Sequence, residues 1–380
     1  PLGWKRFFCL VDGAIKWCRR RGLLPFRRRA LEAAEAWMLD RFDAGDGLGA
    51  SLPSIVWSLA ALRTLGYDED SPEVEYCYQK LEDLVVERGP SEPVKIQPCK
   101  SPVRDTAITL RALLAGGVGP ENPAIRRAAR WLFERQIRWP GDWAETVDAD
   151  PGGWCLQYEN DFYPNSDDTA MALVALAEQF AGGEDTADGL PPELHLLDAE
   201  AAADAGETED GPSHLDRTAA AVDRGLRWML RMQNDDGGWG AFDRNNGRGL
   251  LGHVPLADRN ALTDPSTPDV TGRVLECLGR LGRRPGDRAV DRAVEYLRRT
   301  QEPDGSWFGR WGVNHIYGTH QALVGLAAVG VAADDPMVAA GANWLLTCQQ
   351  PGGGWGESPD SYDDPALRGQ GPATASQTAW

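Results

Sequence analysis

Apolar residues recur at helical spacing in segments 32–39, 54–65, 106–114, 168–180, 219–232, 271–281, 290–299, 317–329 and 338–347. That is the stripe an amphipathic helix buries. Clusters of Gly, Pro and Asp separate the segments, as turn chemistry requires. Period-two alternation is nowhere sustained, so the pattern predicts an all-α chain of helix pairs. Four predicted helices lead into a block that runs from Gln through Gly to Trp: Gln136 to Gly141 and Trp143, Gln233 to Gly237 and Trp239, Gln301 to Gly305 and Trp307, and Gln349 to Gly353 and Trp355. Self-similarity of this kind marks a repeat architecture. Each block reads as a stapled turn, with Gly supplying backbone freedom, Trp covering a helix end and Gln bonding orphaned terminal backbone groups.

Aligned by their starts, several helices share a threonine at one register: Thr106, Thr169, Thr271, Thr319 and Thr378. Ser101-Pro102, Asn165-Ser166 and Thr267-Pro268 are helix-start signals just ahead of three of them. If the pairs curl into an α/α barrel, these helices form its inner ring and their N-termini converge on a central cavity. In an open solenoid the same positions would line a concave surface.

With 380 residues and 42% hydrophobic content, the chain is long enough for two domains or one large barrel. Its net charge of -18 argues against nucleic-acid binding. Much of the excess acid lies in 182–217, which reads as a surface insertion. The seven cysteines are scattered without a Cys-x-x-Cys, and the five histidines show no metal-ligand spacing. Reduced thiols in a cytoplasmic protein, without a metal site, are expected. No apolar run approaches a transmembrane helix. Near the N-terminus, Trp4, Phe7, Phe8, Ile15, Trp17 and Leu23 alternate with Lys and Arg. The pattern suits a helix lying on an anionic membrane or a half-buried helix with a solvated basic face. The chain starts without Met and stops at Trp380 within a helical pattern, so it is expected to be part of something longer.

The most suggestive chemistry lies at one helix start, Asp161-Phe-Tyr-Pro-Asn-Ser-Asp-Asp-Thr169. Ser166 or Asp167 as a simple N-cap is one reading. A cap, however, needs neither two adjacent acids nor the flanking Asn165. Carboxyls this close share protons, so that one stays an acid while the other is a carboxylate. A helix N-terminus and a cation would strengthen that acid. Arg273, just past the register threonine of another inner helix, is placed to be the cation. A strong acid facing a dry, aromatic-rich cavity suits protonation of a weak base such as an alkene.

Those residues, together with the blocks, the run Asp304-Gly-Ser-Trp-Phe-Gly-Arg-Trp-Gly-Val-Asn314 and the tail from Gly352 to Trp380, resemble the squalene–hopene cyclases, a family of class II triterpene cyclases. The resemblance covers nearly the whole chain. It implies two α-barrel domains, both incomplete here, a buried cavity for squalene, no cofactor, and monotopic attachment at the cytoplasmic face of a membrane. A homodimer is implied by resemblance alone. Asp167 matches the central acid of the family's Asp-x-Asp-Asp motif and Asp168 its carboxylate partner, with Asn165 in place of the first acid. Arg273 stands where some members have a histidine that pairs with the acid. Trp311 and Tyr317 match a cavity aromatic and an acid-network tyrosine, or else simply pack the barrel.

Departures from the family pattern fall on the expected substrate-binding positions. Arg104 replaces a cavity Trp, with Asp105 as its candidate partner. Leu156 replaces a Phe, Phe242 a Tyr, and Leu52 a Gln that helps hold the terminating water. Residues 1–88 are expected to be the C-terminal part of the smaller barrel and 89–380 the main barrel, with 86–93 as the crossing. The activity expected from the resemblance is cyclisation of squalene to hopanoid-type products. Alternatives are a cyclase of another polyprenoid or of oxidosqualene, and a non-catalytic isoprenoid-binding homologue. A protein prenyltransferase subunit would need a zinc site of Asp, Cys and His, and no such set falls in register.

Overall fold

The computed structural model describes residues 2–42, 45–87, 89, 93–180, 213–247, 249, 254 and 262–380. The chain divides into two units: one of Pro1–Pro102, Leu156–Tyr163 and Gly247–Asp264, the other of Val103–Cys155, Pro164–Asn246 and Pro265–Trp380.

The first unit holds helices α1 (Leu2–Arg20), α2 (Arg27–Asp40), α3 (Leu52–Leu65) and α4 (Pro72–Glu82). Met38, Phe42, Ile55, Leu62, Val74 and Cys77 form its core. The Tyr76 hydroxyl lies 2.7 Å from the carbonyls of Phe42 and Gly45 and accepts from the Gly47 amide, tying the α2–α3 connection to α4. Two strands that the sequence pattern does not predict, β1 (Val85–Val86) and β2 (Lys95–Ile96), pair antiparallel with Val85 opposite Ile96. In the expected crossing at 86–93, residues 88 and 90–92 lie outside the described residues. Along α1, Phe7, Leu10, Ile15 and Trp17 are each at least half exposed.

The second unit alternates two kinds of helix. α5 (Pro102–Ala115), α7 (Ser166–Ala177), α9 (Pro268–Arg280), α11 (His315–Ala328) and the short α13 (Ala375–Ala379) begin at the predicted register. Between them run α6 (Pro123–Glu134), α8 (His214–Arg231), α10 (Arg288–Thr300) and α12 (Pro336–Cys348). Every residue of α7 is buried, as are eleven of thirteen in α9 and nine of fourteen in α11, whereas α8 and α10 bury one stripe. This is the inner and outer layering of an α/α barrel fold. α9 packs against α7 and α11, and two glycines set the closeness of one crossing. A Cβ on Gly272 would come 2.4 Å from the Gln321 carbonyl oxygen, and one on Gly325 would come 2.3 Å from that of Gly272.

The register threonines have a structural task that the sequence reading does not anticipate. The hydroxyls of Thr169, Thr271, Thr319 and Thr378 accept the backbone N–H of Trp154, Trp239, Trp307 and Trp355 at 2.8–3.0 Å. Each indole N–H then donates to a carbonyl in the last turn or so of the preceding outer helix: Leu132, Met229, Leu297 and Leu345. Those carbonyls lie at helix ends, where the regular intrahelical donors run out, although the Leu132 and Met229 oxygens also accept the Arg135 and Met232 N–H. The glutamines complete the staple, as Gln233 does by donating to Gly237 and to Ala289 of α10 at 2.9 Å each. Gly237 and Gly305 both have φ of +96°, a conformation glycine adopts without a Cβ penalty. In the first block the structure corrects the sequence: Trp154, not Trp143, makes the staple, and Gln136 donates to Gly152 rather than Gly141.

Two further corrections concern boundaries. Ser213 and Asp216 form a capping box and α8 begins at His214, so the acidic insertion ends earlier than 217; positions 181–212 lie outside the described residues. Helix α4 is absent from the expected set, and α6 is expected only as the helical stretch that leads into Gln136. Charged residues and tyrosines dilute the apolar stripe of α4.

Candidate active site

Asn165 caps α7, and this fixes the acid pair. Its side-chain oxygen accepts from the Asp168 N–H at 2.7 Å while its amide donates to Asp168 Oδ2 at 2.5 Å. The N-cap is therefore Asn165, not Ser166 or Asp167, leaving both acids free of capping duty in the first helical turn. Asp167 is 6% exposed and Asp168 1%.

Arg104 reaches across from α5 and bridges the pair. Its Nη2 lies 2.5 Å from Asp167 Oδ2 and its Nε 2.7 Å from Asp168 Oδ1. The expected partner Asp105 is exposed instead, because adjacent helical residues point to different faces. From α9, Arg273 donates through Nε to Asp167 Oδ1 at 3.2 Å and through Nη1 to Glu276 Oε2 at 3.0 Å. Glu276 also accepts from Arg111 of α5 at 3.0 Å, and Arg111 donates on to Glu178 at 3.2 Å.

Burial pushes the Asp167 carboxyl up, but the guanidiniums of Arg104 and Arg273 together outweigh it and hold Asp167 below the usual range. For Asp168, burial reinforced by the charge on Asp167 outweighs Arg104 and Asn165, and the carboxyl is pushed up. Asp167 thus lies between two guanidiniums, whereas Asp168 meets one guanidinium and the Asn165 amide. The two titrate as a pair.

Other expected residues sit at different distances from this chemistry. Tyr317, 8% exposed, is held by its aromatic edge against Trp380 at 4.8 Å between centroids. Its phenol is raised by burial and by Asp167. Trp311 is 47% exposed and meets the edge of Phe242 at 5.8 Å. The loop carrying Trp311 is pinned by Asp269, whose Oδ2 accepts from the amides of Arg310 and Trp311 at 2.9 and 2.8 Å. Leu52 and Leu156 belong to the first unit, Leu52 being packed on its core. Arg111, Glu178, Glu276 and Gln321 escaped the sequence reading. The signal was the spacing, since Arg104 and Arg111 lie two turns apart on one face of α5 and Arg273 and Glu276 are neighbours at i and i+3.

A description of the squalene–hopene cyclase C-terminal domain matches residues 100–189 and 207–380, and one of the N-terminal domain matches 1–89. The squalene–hopene cyclase of Bradyrhizobium diazoefficiens is 37% identical over 383 residues, covering 100% of this chain and 53% of its own. That of Alicyclobacillus acidocaldarius is 38% identical, with 100% and 54% covered. A dammaradiene synthase of Dryopteris crassirhizoma is 37% identical, with 98% and 53% covered. The chain belongs to the squalene–hopene cyclase family and spans about half the length of these relatives.

Proposed function

We propose that this chain carries the proton-donating machinery of a triterpene cyclase, an isomerase that protonates squalene and guides its polycyclisation to hopanoid-type products. The buried Asp167–Asp168 pair, capped by Asn165 and clamped by Arg104 and Arg273, is the observation that carries the reading. One proton held by the pair adds to the terminal alkene carbon of squalene. The π electrons form the new C–H bond and leave a tertiary cation. Further double bonds attack in turn, each closing a ring and passing the cation on. Loss of a C–H proton, or capture of water with release of a proton, ends the cascade. The pair, left as carboxylates, regains its proton from solvent. Two guanidiniums beside the pair make the bound proton more acidic, which a weakly basic alkene requires. Trp311 and Phe242 offer aromatic faces to cations.

Attachment to the cytoplasmic face of a membrane is part of the same proposal. It is supported by the exposed apolar residues along α1, flanked by Arg19 and Arg20 in its last turn. Among the described residues no helix is long and apolar enough to cross a membrane.

The test is incubation of the full-length protein with squalene, followed by mass spectrometry for cyclic products of unchanged or water-added mass. Asp167→Asn and Asp168→Asn are each expected to reduce product by at least about 100-fold. Product formation equal to wild type in both variants would overturn the assignment.

A further inference from the structure

The ion pairs around the acid do not stop at Arg273. They run on as Asp168, Arg104, Asp167, Arg273, Glu276, Arg111 and Glu178, alternating in sign, with every link between 2.5 and 3.2 Å. Three inner helices contribute: α5 gives Arg104 and Arg111, α7 is followed at its C-cap by Glu178, and α9 gives Arg273 and Glu276. Gln321 of α11 adds a hydrogen bond to Glu276 at 3.4 Å. The two ends differ in surroundings. Asp168 is 1% exposed at its side chain, whereas Glu178 is 23% exposed and lines with Arg111 an open pocket of about 690 Å³. Four carboxyls face three guanidiniums, so the ladder is electrically neutral when it holds one proton.

We propose that Glu276 and Arg111 are positioning residues that set the acidity of the Asp167–Asp168 pair through Arg273. The inference rests on the function proposed above and adds residues at the opposite end of the inner helices to its control. Glu276 holds the second arm of Arg273 and cancels part of its charge, limiting how strongly Arg273 depresses the acid. Arg111 in turn cancels part of Glu276. Their substitutions must therefore act in opposite directions.

Among the described residues, the other groups with shifted titration facing the ladder are Asp269 and Cys277 of α9 and Tyr317 and His320 of α11. Burial pushes the Cys277 thiol and the Tyr317 phenol up, so both stay protonated. Burial and the charge of Arg273 push His320 down to about 4, so it stays neutral. Burial also raises Asp269. All four are common to the variants below and cannot produce shifts of opposite sign.

The pH–rate profile of squalene turnover by the full-length protein tests this, with infrared titration of the protonated carboxyl band as a second readout. Turnover needs the protonated pair and so is lost as pH rises. Glu276→Gln removes a negative charge and should move that loss down by about one pH unit, while Arg111→Gln should move it up by a similar amount. Glu276→Asp, which keeps the charge, should return the profile to within a few tenths of a unit of wild type. Opposite shifts support the proposal; shifts of one sign, or none in folded variants, overturn it. If Glu276→Gln does not fold, the Arg111→Gln and Glu276→Asp profiles decide. If wild type turns over no squalene, the proposed function falls, yet the carboxyl band still reports whether the ladder sets the acidity.

Discussion

Asn165 shows how much one side chain can decide. It satisfies the α7 N-terminus and donates to Asp168. Aspartate caps helices about as well as asparagine, so Asn165→Asp should keep the helix. It would exchange a hydrogen-bond donor for a like charge beside Asp168, however, and the pair would hold its proton more tightly. The expected outcome is turnover that persists about one pH unit higher than in wild type. Asn165→Ser, which keeps a cap without adding charge, should shift the profile less. A pH–rate series on the three proteins checks this. Arg104 carries a related lesson. A lone arginine in an inner helix suggests its sequence neighbour Asp105 as partner, but helix geometry sends the two to different faces. The true partners are Asp167 and Asp168, on another helix.

At the scale of the element, the repeated blocks were legible because the same tie is made four times. Most of the helices, the common starting register and three of the four Gln–Trp staples follow from pattern alone. What pattern did not carry was which tryptophan closes the first block, since Trp143 and Trp154 both follow a glycine and only Trp154 reaches the Leu132 carbonyl. Nor did it reveal that the shared threonine serves the fold rather than the cavity. Thr271 illustrates this, being fully buried and accepting the Trp239 N–H at 3.0 Å. Thr271→Val keeps the shape but strands a buried donor, which should destabilise the protein by about 1–3 kcal/mol. Thr271→Ser should recover most of that loss. Urea unfolding at pH 7 would measure both, and a valine variant as stable as wild type would remove the tie from the account.

Across the molecule, a buried ion ladder makes stability depend on pH with a predictable sign. Asp167 and Glu276 are both held below their ordinary values, burial being outweighed by Arg104 and Arg273 in one case and by Arg273 and Arg111 in the other. A depressed carboxyl adds stability above its unfolded pKa, near 4, and that contribution is lost as pH falls through the folded pKa. Asp168 works against this, because a raised carboxyl favours folding at low pH and loses that contribution as pH rises. Arg273 touches both depressed groups, so Arg273→Gln removes their common cation and leaves two buried carboxylates less compensated. The deficit at pH 7 should be about 3–5 kcal/mol, the scale on which breaking a buried pair acts. Below about pH 4 both carboxyls protonate in the unfolded chain and more readily in the variant, so its deficit should shrink toward zero. Urea unfolding of wild type and Arg273→Gln between pH 7 and pH 3 measures the difference directly. A deficit that stays constant across that range would mean that Arg273 contributes packing alone, and that the ladder does not couple the charges of α5, α7 and α9.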